Sequence, residues 1–118
     1  MLKLNHKKLD VWQLSIKFVS KIYKITSKYP KEELFGLTSQ TRRAATSIPA
    51  NIAEGASRKS LTERKRFFEI SRSSLVELDT HIEIAKELEY LDKNLLPELE
   101  NDLNELFAKL SNFIDKDR

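Results

Sequence analysis

QTRRAATSIPANIAEGASR, residues 40–58, is the stretch that decides the fold. Two adjacent arginines lead into a run of small residues broken by Pro49 and closed by Ala53-Glu54-Gly55. Leu37, Thr41, Ala44, Ile48 and Ile52 recur at helical spacing, with Ala45 and Ala53 beside them. Small side chains on such a stripe let a neighbouring helix approach closely. Pro49 cannot donate to the carbonyl of Ala45, which predicts a bend within the helix. Gly55 suits the left-handed position that closes a helix. A second line, Gln40, Arg43, Ser47, Asn51, Glu54 and Arg58, is polar at the same spacing.

Working outward, three more helical patterns account for nearly all of the chain. The first covers residues 10–29, with one seam of Leu9, Trp12, Ile16, Val19, Tyr23 and Thr26 and another of Val11, Phe18, Ile22, Ile25 and Tyr29. Asp10 is its N-cap or first-turn acid, and Pro30 ends it. Lys17, Lys21, Lys24 and Lys28 line the opposite face, either as a solvated stripe or as a nucleic-acid contact. The second helix covers 35–55. The third covers 60–91 and opens on the capping box Ser60-Leu61-Thr62-Glu63. Its core run is Leu61, Phe68, Leu75, Leu78, Ile82 and Ala85. A neighbouring seam of Phe67, Ile70, Ser74, Glu77, His81, Ile84 and Leu88 is polar in its middle. The fourth covers 94–115, capped by Asp92 or Asn94, with Pro97 tolerated in its first turn. Leu96, Leu99, Leu103, Leu106, Leu110 and Phe113 form its core stripe, widened by Phe107 and Ile114, and Glu98, Asp102 and Glu105 make its outer face acidic. Four amphipathic helices with short connections predict an all-α fold, a single antiparallel up-down four-helix bundle spanning residues 1–118.

Composition agrees with long helices. The 118 residues include 2 glycines and 3 prolines, too few for a turn-rich fold. There is no cysteine, which excludes disulfides, thiolate chemistry and cysteine-based zinc sites. No apolar run approaches the roughly 20 residues of a membrane span, and the start MLKLNHKKLD lacks a signal-peptide core, so the expected setting is the cytoplasm. The net charge of +3 is unevenly distributed. Residues 1–59 hold 12 Lys/Arg against 4 Asp/Glu, while residues 60–118 hold 9 against 14. The basic half can bind a polyanion, or the two halves can pair with each other within or between chains.

Few residues invite catalysis. Two glycines cannot build a phosphate-binding loop. Glu77 and His81 stand at i and i+4, whereas di-iron bundles use Glu-x-x-His at i, i+3, twice. An enzyme built on this pair would need a metal or cofactor. The expectation is no enzyme, no catalytic residue, no cofactor and no metal. The polar line is read as a structural network of Ser47, Asn51, Glu54, Glu77 and His81 that fixes helix register, or as a surface at a subunit contact or ligand channel. A buried Glu77 would require a basic partner, for which Arg43 is the candidate. Arg42 and Arg43 at the start of the second helix, with Arg58, Lys59, Arg64, Lys65 and Arg66 around the next corner, are the candidate nucleic-acid-binding residues. Phe67 and Phe68 fit the core pattern, which argues against base stacking.

VWQLSIKFVSKIYKIT (11–26), FGL (35–37), residues 40–58 and RFFEISRSSLVELDTHIEIAKELEYL (66–91) together closely resemble the 23S rRNA intervening-sequence proteins, also called four-helix bundle proteins. The resemblance covers about residues 9–91, with a fourth helix similar in character. Arg42, Arg43, Asn51, Glu54, Arg58 and Glu77 match family motif positions. Ser71 and Ser73 depart from the Ala and Gly expected there. The resemblance implies a ring-like homopentamer without enzymatic activity. It also points to the related accessory protein of diversity-generating retroelements, which binds a reverse transcriptase and nucleic acid. The expected function is therefore a homo-oligomeric bundle that binds RNA or DNA through its basic clusters, with a structural adaptor for a protein partner such as a reverse transcriptase as the second reading.

Overall fold

The computed structural model describes residues 1–116. It contains four helices, α1 (Asp10–Thr26), α2 (Leu37–Ser57), α3 (Leu61–Glu87) and α4 (Leu96–Lys116), and no strand among the described residues. α1 packs on α2 and α4, and α3 packs on the same two helices, so the four close into a bundle around one main core.

Each helix begins and ends for a local reason. α1 starts with Asp10 as a first-turn acid after Leu9 and stops at Thr26, three residues short of the expected end. The 3-10 turn Lys31–Glu33 follows Pro30. Glu33 then serves two helices. One carboxylate oxygen accepts the Leu37 N–H at 3.2 Å, and the other accepts the Tyr90 hydroxyl at 2.9 Å. Ser60 Oγ accepts the Glu63 N–H at 3.0 Å, as the capping sequence predicts. α3 ends in a Schellman motif: Tyr90 N–H bonds the Ala85 carbonyl and Glu89 N–H the Lys86 carbonyl. Glu89 takes the left-handed position at φ 62°, normally a glycine's place. Asp92 caps the short turn Lys93–Leu95 by accepting the Asn94 N–H.

The inner face of α1 is Val11, Ser15, Phe18, Ile22 and Thr26. The first predicted seam lies largely outside it, with Ile16 and Tyr23 each 42% exposed. Ser15 and Thr26 tolerate burial because their hydroxyls donate to the Trp12 and Ile22 carbonyls. On α2 the predicted stripe is buried, and the helix runs unbroken through Pro49. Gly55 is not a left-handed terminus. It lies inside α2, and a Cβ there would stand 2.6 Å from the Phe68 ring. Its small size lets α3 approach. Ser71 is fully buried and donates to the Ile48 carbonyl at 2.8 Å, bonding α3 to α2, whereas Ser73 is exposed.

On α3, Leu61 is exposed while Phe68, Leu75, Leu78, Ile82 and Ala85 are buried. On α4, Leu99, Leu103, Leu106, Leu110 and Ile114 enter the core, Phe113 packs edge-on against Phe68 at 4.7 Å, and Phe107 turns outward. Charge also joins α1 to α4. Lys21 binds Glu98 at 2.7 Å and Asp102 at 2.5 Å, and Lys109 binds Asp10 at 2.6 Å. The hydrogen bonds that the Lys21 ammonium donates to Asp102 and Glu98 hold its pKa above the usual lysine range. Part of the lysine stripe thus meets the acidic face of the fourth helix.

Candidate nucleic-acid interface and polar cleft

The α2–α3 corner is built by its own arginines. Arg58 leaves α2 in extended conformation, lays its guanidinium over the half-buried Phe67 ring at 4.8 Å and pairs with Glu54 at 3.6 Å. Its Nε is buried and has no hydrogen-bond partner. Arg64 donates to the Ala56 carbonyl at 3.0 Å and covers the Phe68 ring at 5.6 Å. These contacts fix the path from α2 into α3 and hold both cations at the surface. Lys59, Lys65 and Arg66 are exposed beside them, and no ion pair engages them among the described residues.

The sequence pattern did not reveal that the segment before α1 packs on the bundle. The 3-10 turn Asn5–Lys8 packs on α1 and α2, where His6 shares a groove with Pro49, Ala50 and Ala53. Beside it, Lys7 donates to the Leu2 carbonyl, and Lys3 and Lys8 are exposed. The run KLNHKK was visible as basic, but its placement depends on contacts distant in sequence.

Arg42 lies against α1. Its Nε donates to Thr26 Oγ1 at 2.9 Å, its Nη2 to the Tyr23 carbonyl at 3.3 Å, and its guanidinium lies 4.5 Å from the Tyr23 ring centroid. It clamps the start of α2 onto the end of α1. Cations over aromatic faces attract by about 0.5–1 kcal/mol when exposed and more when desolvated.

The predicted polar network divides into three parts. Gln40, Arg43, Ala44, Ser47, Ser74 and Glu77 line an open cleft of about 510 Å³ between α2 and α3. Within it, the Ser47 and Ser74 hydroxyls bond at 2.8 Å, and Asn51 donates to both the carbonyl and the hydroxyl of Ser47 at 2.8 Å. Glu77 is not buried: its side chain is 60% exposed, so water solvates it and the need for an arginine disappears. It borders the same cleft as Arg43, yet its partner is His81 Nε2 at 3.3 Å. His81 is buried, and its Nδ1 has no partner. Glu54 turns toward Arg58 and Ser57 instead of the cleft. What ties α2 to α3 here is the serine pair, with Asn51 holding Ser47 in place.

Among the described residues no three His, Cys, Asp or Glu side chains gather into a possible metal site. No described helix is long and apolar enough to cross a membrane.

No curated protein matches the chain. A crystal structure at 1.70 Å of a protein with unknown function from the S23 ribosomal protein family of Bacteroides thetaiotaomicron VPI-5482 has a similar fold. Its TM-score is 0.81 at 24% identity, over 90% of this chain and 96% of that one. The sequence profile of the 23S rRNA-intervening sequence proteins matches residues 7–112. That match spans all four helices almost to the end of α4, and the chain belongs to the 23S rRNA-intervening sequence protein family.

Proposed function

We propose that this chain is a non-enzymatic cytoplasmic protein that self-associates and engages RNA or DNA through its α2–α3 corner. The observation that carries the reading is the set of exposed cations Lys59, Lys65 and Arg66, unpaired among the described residues, beside the fixed guanidinium of Arg58. Phosphate contact needs cations held at the surface and little else, so the expected binding is salt-sensitive and tolerant of sequence.

Self-association is supported by two apolar surfaces. Trp12, Ile16, Val19, Pro49, Ala50 and Ala53 line an open groove between α1 and α2. Ile70 and Ile84 are exposed on α3, and Leu88 is exposed just past its end. Different patches that cover each other head to tail form a ring when the rotation between neighbours closes, and the family resemblance sets the expected number at five. The ion pairs Asp10–Lys109 and Lys21–Glu98, with Arg42 on Thr26, support an antiparallel up-down course for the helices. Repetition of the corner around a ring would raise avidity by about 10²–10⁴ over one site.

Fluorescence anisotropy with single-stranded RNA and duplex DNA at 50 mM salt tests the reading. Binding should fall steeply by 200 mM salt. Lys59→Glu with Lys65→Glu and Arg66→Glu should abolish it while leaving sedimentation mass and helicity unchanged. No binding by the unaltered protein, or full binding by the triple variant, refutes the proposal. An adaptor for a protein partner is favoured by Phe35, 93% exposed at the α1–α2 connection. Under that reading the triple variant retains its partner, and Phe35→Ser loses it.

A further inference from the structure

A cavity of about 390 Å³ opens between the C-terminal half of α1 and the α3–α4 connection, away from the α2–α3 corner. This lies in the range of small-molecule pockets. Its inner wall is aliphatic: Leu99 is buried, and Ile25, Leu91 and Leu95 are partly buried. Its outer edge carries Lys21, Lys24 and Lys28 together with Asp92 and Glu98.

The charges at this edge are not equivalent. Glu98 is held by Lys21, which also binds Asp102. Asp92 accepts the Asn94 N–H at the start of the short turn. Lys24 and Lys28 are exposed and take part in no ion pair or side-chain hydrogen bond among the described residues. The pocket therefore combines an aliphatic interior with two uncommitted ammonium groups at its mouth. The Tyr90 hydroxyl, a possible polar handle on the wall, is already donated to Glu33.

From this arrangement we infer that the cavity binds a hydrophobic monocarboxylate, a medium-chain fatty acid, with its tail against Ile25, Leu91, Leu95 and Leu99 and its carboxylate at Lys24 and Lys28. A nucleotide fits less well. The edges of its base are hydrogen-bonding groups, and burying them against leucine and isoleucine leaves them without partners. An alkyl tail has no such groups and gains from every methylene removed from water. The inference is independent of nucleic-acid binding, because none of the corner cations lines this cavity.

Isothermal titration calorimetry of the full chain with hexanoate, octanoate and decanoate, each below its self-association concentration, tests the site. Affinity should tighten by about 4-fold per methylene. Decanol, which keeps the tail and lacks the charge, should bind more weakly than decanoate. Lys24→Gln with Lys28→Gln should weaken decanoate on the order of 3- to 10-fold and leave decanol unchanged. Leu95→Trp should block both ligands. The lysine pair is exposed, so that variant keeps its fold, which circular dichroism verifies, and it remains decisive should Leu95→Trp disturb the turn. No decanoate binding, affinity indifferent to tail length, decanoate binding unchanged by the lysine variant, or adenosine monophosphate binding as tightly as decanoate would each overturn the inference. The first of these is also the outcome expected if the cavity instead seats a segment of another polypeptide.

Discussion

Replacing Gly55 by alanine sets two known effects against each other. Alanine is favoured over glycine inside a helix by about 1 kcal/mol, and Gly55 lies two residues before the end of α2. Against this, the new Cβ would stand 2.6 and 2.8 Å from two Phe68 ring carbons and 3.1 Å from the Arg64 carbonyl oxygen. Phe68 cannot swing aside, since it is fully buried and packed on Phe113. Overpacking of this kind costs about 1–3 kcal/mol. Subtracting the helix gain of about 1 kcal/mol leaves Gly55→Ala destabilising by up to about 2 kcal/mol, the steric effect prevailing because the Phe68 ring is pinned. For a chain of this length that lowers Tm by up to about 8 °C.

Urea unfolding at fixed protein concentration measures the effect, because self-association would otherwise shift apparent stability. The same substitution in a Phe68→Leu background supplies the control. Leucine shortens the ring contact, while the Arg64 carbonyl stays in place, so Gly55→Ala should then fall within about 0.5 kcal/mol of neutral. The difference between backgrounds is the coupling between the two residues. A Gly55→Ala protein about 1 kcal/mol more stable than the parent, or an equal effect in both backgrounds, would refute the close-approach argument.

Arg42→Gln should lower stability by about 1–2 kcal/mol, through the charged hydrogen bond to Thr26 and the contact with Tyr23; it should leave nucleic-acid affinity within 2-fold in the anisotropy assay. Glu89→Gly should raise the urea midpoint, by an amount corresponding to about 0.5–1 kcal/mol, because glycine takes the left-handed position without a Cβ penalty. Tyr29 is buried with its hydroxyl unpartnered, and burial pushes its pKa up to about 12. The neutral phenol is the form the fold favours. Its contribution is therefore complete below the ordinary tyrosine value near 10 and lost as pH rises through about 12. Urea midpoints measured from pH 9 to 12 should fall less steeply in Tyr29→Phe than in the parent.

The helices were legible where one residue type had one job. The serine before α3 could only be a cap, and the leucines of α4 could only face inward. Legibility failed where a side chain could satisfy itself locally. Ser15 bonds to a carbonyl of its own helix and is buried where a hydrophobic pattern does not place it, while Ile16 and Tyr23, which the pattern assigns to the inner face, are exposed. It failed again where one residue type has several uses. Gly55 reads as a stop signal, yet it serves as a gap for Phe68. Arg42 and Arg43 are adjacent and alike in sequence, but a turn of about 100° per residue sends one against Tyr23 and the other to the α2–α3 cleft. Glu77 belonged to a seam flanked by apolar residues, and only the position of α2 determines that it stays in water. The meeting of Glu33 with Tyr90 spans 57 positions and leaves no local trace.

That last contact bears on how Phe35 is displayed. The ring protrudes from a connection rooted on one side in the first turn of α2 and on the other in the exit of α3, through a single carboxylate. It stands on a stiff stalk instead of a slack tether. A molecule that grips the ring meets an anchor already set in position and forfeits little chain freedom in doing so.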